Sequence, residues 1–261
     1  LSPFECLCGN FILPEPASYV FFYAVFNLRK LLYIIPPPPE DLALRETVRK
    51  LERRICEAAA HFVPVNRPIW DALFPDWEAV QPTLDLIVGY PEPYDAVAAH
   101  SPDGQAHLIF DLIRWCNYAE LDQLDSIIRN LLTHEITHLL IGHHYPAADA
   151  ALESTDYLTR LDAYTFHEGF AHLLSYQATE IDCVDWHTPQ LTEVAAASRA
   201  TLRQAKQFLE EAVCGSYYEK FACMCGMLYL ADRWETQGID GLQSAFADYH
   251  GFAQRALSIR I

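Results

Sequence analysis

Residues 130–144 read NLLTHEITHLLIGHH, and within them His134 and His138 are spaced so that they could do chemistry together. On a helix, residues i and i+4 lie one above the other, so two such imidazoles face a single point, as a tetrahedral metal ion requires. Glu135, next to the first histidine, would flank that ion without ligating it and could take a proton from a water molecule. The pattern fixes only three positions, and two histidines do not complete a tetrahedron. Its meaning therefore depends on a third ligand.

Two residues compete for that place. His144 lies ten residues after His134, which resembles the metzincin spacing H-E-x-x-H-x-x-G-x-x-H. Here the glycine comes one place late, with Ile141 at its expected position and Gly142 following, and Met224 and Met227 match a Met-turn poorly. Glu168 is the better placed of the two. It lies in LDAYTFHEGFAHLLSYQ, where Leu161, Phe166, Phe170, Leu173 and Leu174 recur at helical spacing and would pack this segment beside the first helix. Gly169 costs about 1 kcal/mol inside a helix, which close approach of the two helices would explain. His143 reads as a cation closing a helix C-terminus, and His167 as pointing away from Glu168.

HEITH followed by HEGFAHLLS resembles the gluzincins, the thermolysin-like zinc peptidases, and bacterial proteins predicted to be zinc-dependent proteases. The resemblance runs from the strands near residue 83 to the helices near 236. It implies a zincin-like fold, a zinc cofactor held by His134, His138 and Glu168, and Glu135 as general base. It also implies an edge strand that aligns an extended peptide or protein substrate, for which HLIFDLI (His107 to Ile113) is the natural choice. A tyrosine or histidine beyond the third ligand would stabilise the oxyanion, which points to Tyr217 and Tyr218, with His250 behind them. The family braces a histidine ligand with an aspartate four residues after the glutamate. This chain has His172 there, leaving Asp162 or Asp156 as substitutes.

The elements that must position these groups follow from periodicity and punctuation. Asp41 opens a helix that ends before Pro64, with Leu44, Val48, Leu51, Ile55 and Phe62 on one stripe. TLDLIVGY, YDAVAAH and QAHLIFDLI read as three strands, the last two joined across SPDG, in an antiparallel sheet. Asn117 with Glu120 resembles a capping box for a helix over 118–141, closed by Gly142 and Pro146. Further helices are expected near 155–180, 190–213, 216–236 and 239–257. Strands first and helices afterwards give an α+β class, with residues 1–40 as an N-terminal arm packed on a zincin-like domain over 41–261, and PPPP at 36–39 as a stiff spacer.

Composition narrows the partners. With 18 Lys and Arg against 35 Asp and Glu, the net charge of −17 repels phosphate backbones, so a nucleic-acid role is not expected. The apolar run over 18–35 is broken by Asn27, Arg29 and Lys30, so no membrane span is expected. Eight cysteines without a C-x-x-C pair suggest reduced thiols and a cytoplasmic setting. The chain has no G-x-S-x-G and no glycine-rich nucleotide loop. The principal expectation is a zinc peptidase. The alternative is a zincin-like domain that binds a peptide or partner without cleaving it.

Overall fold

The computed structural model of the chain describes residues 42–88, 95–119, 122–205 and 220–258. The N-terminal arm, Asp41, Tyr217 and Tyr218 lie outside the described residues. The elements are α1 (Leu42–Ala60), α2 (Arg67–Leu73), β1 (Thr83–Ile87), β2 (Ala96–His100), β3 (Ala106–Asp111), α3 (Leu112–Trp115), α4 (Leu124–His144), α5 (Pro146–Ala151), α6 (Tyr157–Ser175), α7 (Pro189–Ala205), α8 (Phe221–Phe246) and α9 (Phe252–Leu257). The class is α+β, mainly helical with one small mixed sheet. None of the described helices is long and apolar enough to cross a membrane. The chain divides into two compact units, one of Leu1–Val63 with Glu78–Glu135 and one of Pro64–Trp77 with Ile136–Ile261.

In the first unit, α1 buries Leu51 and Ile55 of the expected stripe together with Ala59, while Leu44 and Val48 are half-buried. Arg129 Nε donates to the Val63 carbonyl at 2.9 Å, Lys50 Nζ donates to that of Ala119 at 3.2 Å, and Arg54 pairs with Asp125. The strands are where the sequence placed them, but the sheet is not antiparallel throughout. Its order is β1-β3-β2, with β3 parallel to β1 and antiparallel to β2. The β2–β3 hairpin turns through Gly104, whose φ of 86° favours glycine. Alternation fixes which residues form strands but not their direction, and β3 carries the fully buried Leu108 and Phe110. Such an apolar strand is best covered in the centre, and β1 therefore pairs along its other edge. The expected role of His107 to Ile113 as an edge strand is thereby overturned: β3 is paired on both sides, and α3 begins at Leu112.

In the second unit, α6 packs closely against α8. A Cβ on Gly169 would come within 2.9 Å of the Gly226 backbone carbonyl carbon, and one on Gly226 within 2.5 Å of the Thr165 carbonyl oxygen. Gly169 does allow a close helix approach, but its partner is α8 and not the HEITH helix. The interior around this contact is aromatic, with Phe166 edge-on to Phe170 and Phe252 at centroid separations of 5.1 and 5.3 Å. Buried Asn66 ties the ends together, donating to the Leu174 carbonyl and accepting from the Ile181 N–H, both at 2.8 Å. The predicted break between the last long helices is present as a kink at Gly238.

Helix α4 is unbroken across the division between units, which falls after Glu135. It begins at Leu124, later than expected, because residues 116–119 run through turns bonded three residues back; Glu120, the other half of the expected capping box, lies outside the described residues. It also continues past Gly142 to His144, with the Tyr145 N–H bonded to the Ile141 carbonyl. A Cβ on Gly142 would meet Asp149 Oδ1 at 3.2 Å, so this glycine makes room for the start of the next helices instead of stopping its own.

Candidate metal centre

The later turns of α4 and the middle of α6 carry the groups singled out by the sequence. His134 and His138 occupy one face of α4, a turn apart. From α6, Glu168 brings Oε1 to 3.8 Å from His138 Nε2. Thirty positions of chain thus close on one point. His172, one turn beyond Glu168, places its Nε2 3.4 Å from Glu168 Oε2. His138, Glu168 and His172 all belong to the second unit, and His134 to the first.

Glu168 has a further neighbour that sequence reasoning missed. Cys223 of α8 donates its thiol to Glu168 Oε2 at 3.4 Å. Burial pushes the Cys223 thiol well above its usual value, and the Glu168 charge adds to this, so the group stays protonated as a donor. A cysteine in an apolar helix reads simply as a small core residue, and nothing in CMCGM indicates which carboxylate it meets.

His138 keeps 19% of its side chain exposed, yet protein surrounds its ring closely. That burial lowers its proton affinity below the usual imidazole value; Glu168 opposes the shift and His172 adds to it. A neutral imidazole is the form that ligates metals. His167, expected to be remote from the chemistry, is buried with its ring stacked on His138 at 5.8 Å and 17°. Burial brings it down to about 3, with the neighbouring His138 contributing. Its neutral ring therefore orients His138 by stacking and adds no charge.

Glu135 is 7% exposed, one position past His134 on the buried side of α4. The substitutes considered for bracing a ligand do other work. Asp156 caps α6, accepting from the Thr159 N–H at 2.8 Å. Asp162 accepts from the N–H groups of Gly251 and Ala253 at 2.6 and 3.0 Å, which holds the start of α9. His250 is 70% exposed and paired with Asp248. His143 and His144 face Asp76, with Nε2–carboxylate distances of 3.7 and 2.8 Å. His144 is thus in a different group from His134.

Two imidazoles and one carboxylate are ligand types that zinc takes, and a thiol and a further histidine lie against the carboxylate, so the residues present fit such an ion. Comparisons with protein-family models, with curated proteins and with solved structures gave no match to this chain.

Proposed function

We propose that this chain is a zinc-dependent hydrolase of peptide bonds in which His134, His138 and Glu168 hold the metal and Glu135 is the general base. The observation that carries the reading is the approach of Glu168 Oε1 to within 3.8 Å of His138 Nε2 from a separate helix. A chance five-residue pattern would have no reason to gather a carboxylate, His172 and a donor thiol around it.

A catalytic zinc keeps one of its four positions for water or substrate. This reading therefore assigns His172 to hold the Glu168 carboxylate, together with Cys223, and not to close the fourth position. Bound zinc would supply Lewis acidity, polarising the scissile carbonyl and lowering the pKa of water to about 7. Glu135 accepts the proton of the attacking water at its carboxylate. As the carbon–nitrogen bond breaks, Glu135 passes that proton to the leaving amine. His167 stacks on the His138 ring and fixes its orientation, while burial keeps that ring neutral. Tyr217 or Tyr218 would donate to the oxyanion.

The zinc-loaded chain, assayed on a broad peptide library, tests this directly. Glu135→Gln should lower turnover about 10²–10⁴-fold while the zinc content stays that of the parent. A variant that cleaves like the parent would refute the role of Glu135. Zinc retained by a parent that cleaves nothing would favour a binding domain.

A further inference from the structure

We infer that Asp76, His143 and His144 form a second binding site, for a divalent transition-metal ion of the zinc class. All three residues belong to the unit of Pro64–Trp77 and Ile136–Ile261. His143 and His144 end α4, and Asp76 lies three residues beyond the end of α2. One ligand atom from each lies within 4.8 Å of the others.

The distances suit an ion. His144 Nε2 is 2.8 Å from Asp76 Oδ1, and His143 Nε2 is 3.7 Å from Oδ2. Ligand atoms of a tetrahedral zinc lie about 3.3 Å apart, so the two separations bracket the required value. The imidazole rings are nearly perpendicular, at 88° with centroids 5.1 Å apart, which lets adjacent residues reach one point from different directions. The Phe74 ring against His144, at 5.6 Å, helps hold its orientation.

A simple ion pair accounts for the arrangement less well. His144 Nε2 is buried and makes no aligned hydrogen bond, although the carboxylate is in ion-pair range. The nitrogen thus faces the carboxylate without an aligned hydrogen bond to it. Asp76 and His143 are 56% and 51% exposed, where a histidine–carboxylate pair contributes little to stability. A cation here would meet one full negative charge and the negative end of the α4 dipole.

This site is separate from the centre built on His138. His138 and His144 are six residues apart, which turns their side chains roughly 120° from each other around the helix axis. Three protein ligands leave a coordination position open to water or an incoming group. An ion there would tie the end of α4 to the segment that follows α2.

Equilibrium dialysis of the metal-stripped full chain against zinc chloride, with bound zinc counted by mass spectrometry, tests the site. The exposed Asp76→Asn substitution should remove one ion, or weaken its binding at least about 10-fold, with the circular dichroism spectrum unchanged. Glu168→Gln should leave that ion in place. An ion lost in Asp76→Asn but kept in Glu168→Gln supports the site even if the parent holds no other, so its fate is separable from that of the HEITH centre. Zinc binding by Asp76→Asn equal in amount and affinity to the parent's would overturn it.

Discussion

At the scale of single residues, what could be read from the sequence depended on whether a group's partner lay in its own element. His134, Glu135 and His138 were legible because helical spacing alone sets their relationship. Glu168 was legible as a carboxylate in a second amphipathic helix. Cys223, which donates to Glu168, and Asp76, which meets His144, were not, because their partners are chosen by the fold. Tyr118 is another such residue. Its hydroxyl donates to Asp95 Oδ2 at 2.8 Å, and burial, then that hydrogen bond, push its pKa up to about 12. The folded value lies above the unfolded one of about 10, so the neutral tyrosine's contribution is full below pH 10 and fades as the pH rises towards 12. Urea unfolding should therefore show the parent more stable than Tyr118→Phe at pH 8, with the gap closing by pH 12. A gap that widens with pH would contradict the assignment.

At the scale of elements, types were legible and partners were not. The strands, the hairpin across SPDG and the helices around Glu168 appear where periodicity put them. The direction of β1 and the central place of β3 did not follow from alternation, which carries no sense of direction. The expected start of α4 failed because a short turn-bonded stretch after α3 shows much the same local propensity as a helix start. Gly169 was correctly read as a point of close approach, but to the wrong helix. Its true partner gives a test of the α6–α8 contact that positions Glu168. Replacing glycine by alanine inside a helix gains about 1 kcal/mol of propensity, whereas overpacking costs about 1–3 kcal/mol. At Gly226 the obstructing atom is a backbone carbonyl, 2.5 Å from the new Cβ, which cannot rotate away. Gly226→Ala should therefore meet the upper end of that cost and lose about 2 kcal/mol net in urea unfolding. A stability equal to or above the parent's would show that the helices can separate without cost.

At the scale of the whole molecule, the acidic balance of −17 disfavours a polyanionic partner and is compatible with a cation-binding role. Among the described residues, Cys116, Cys183, Cys223 and Cys225 carry free thiols. The α+β class was legible from the order of strands and helices, since that order survives errors in individual boundaries. The central claim is that His134, His138 and Glu168 hold a zinc ion with one position left open. A zinc-edge anomalous difference map from crystals of the zinc-loaded protein tests it most directly. The expected result is a peak about 2.0–2.2 Å from a ligand atom of each of those three residues, with water and not His172 in the fourth place. A peak ligated by His172 as well would mark a closed, structural site and contradict the hydrolase, and an absence of density between α4 and Glu168 would contradict the metal centre itself.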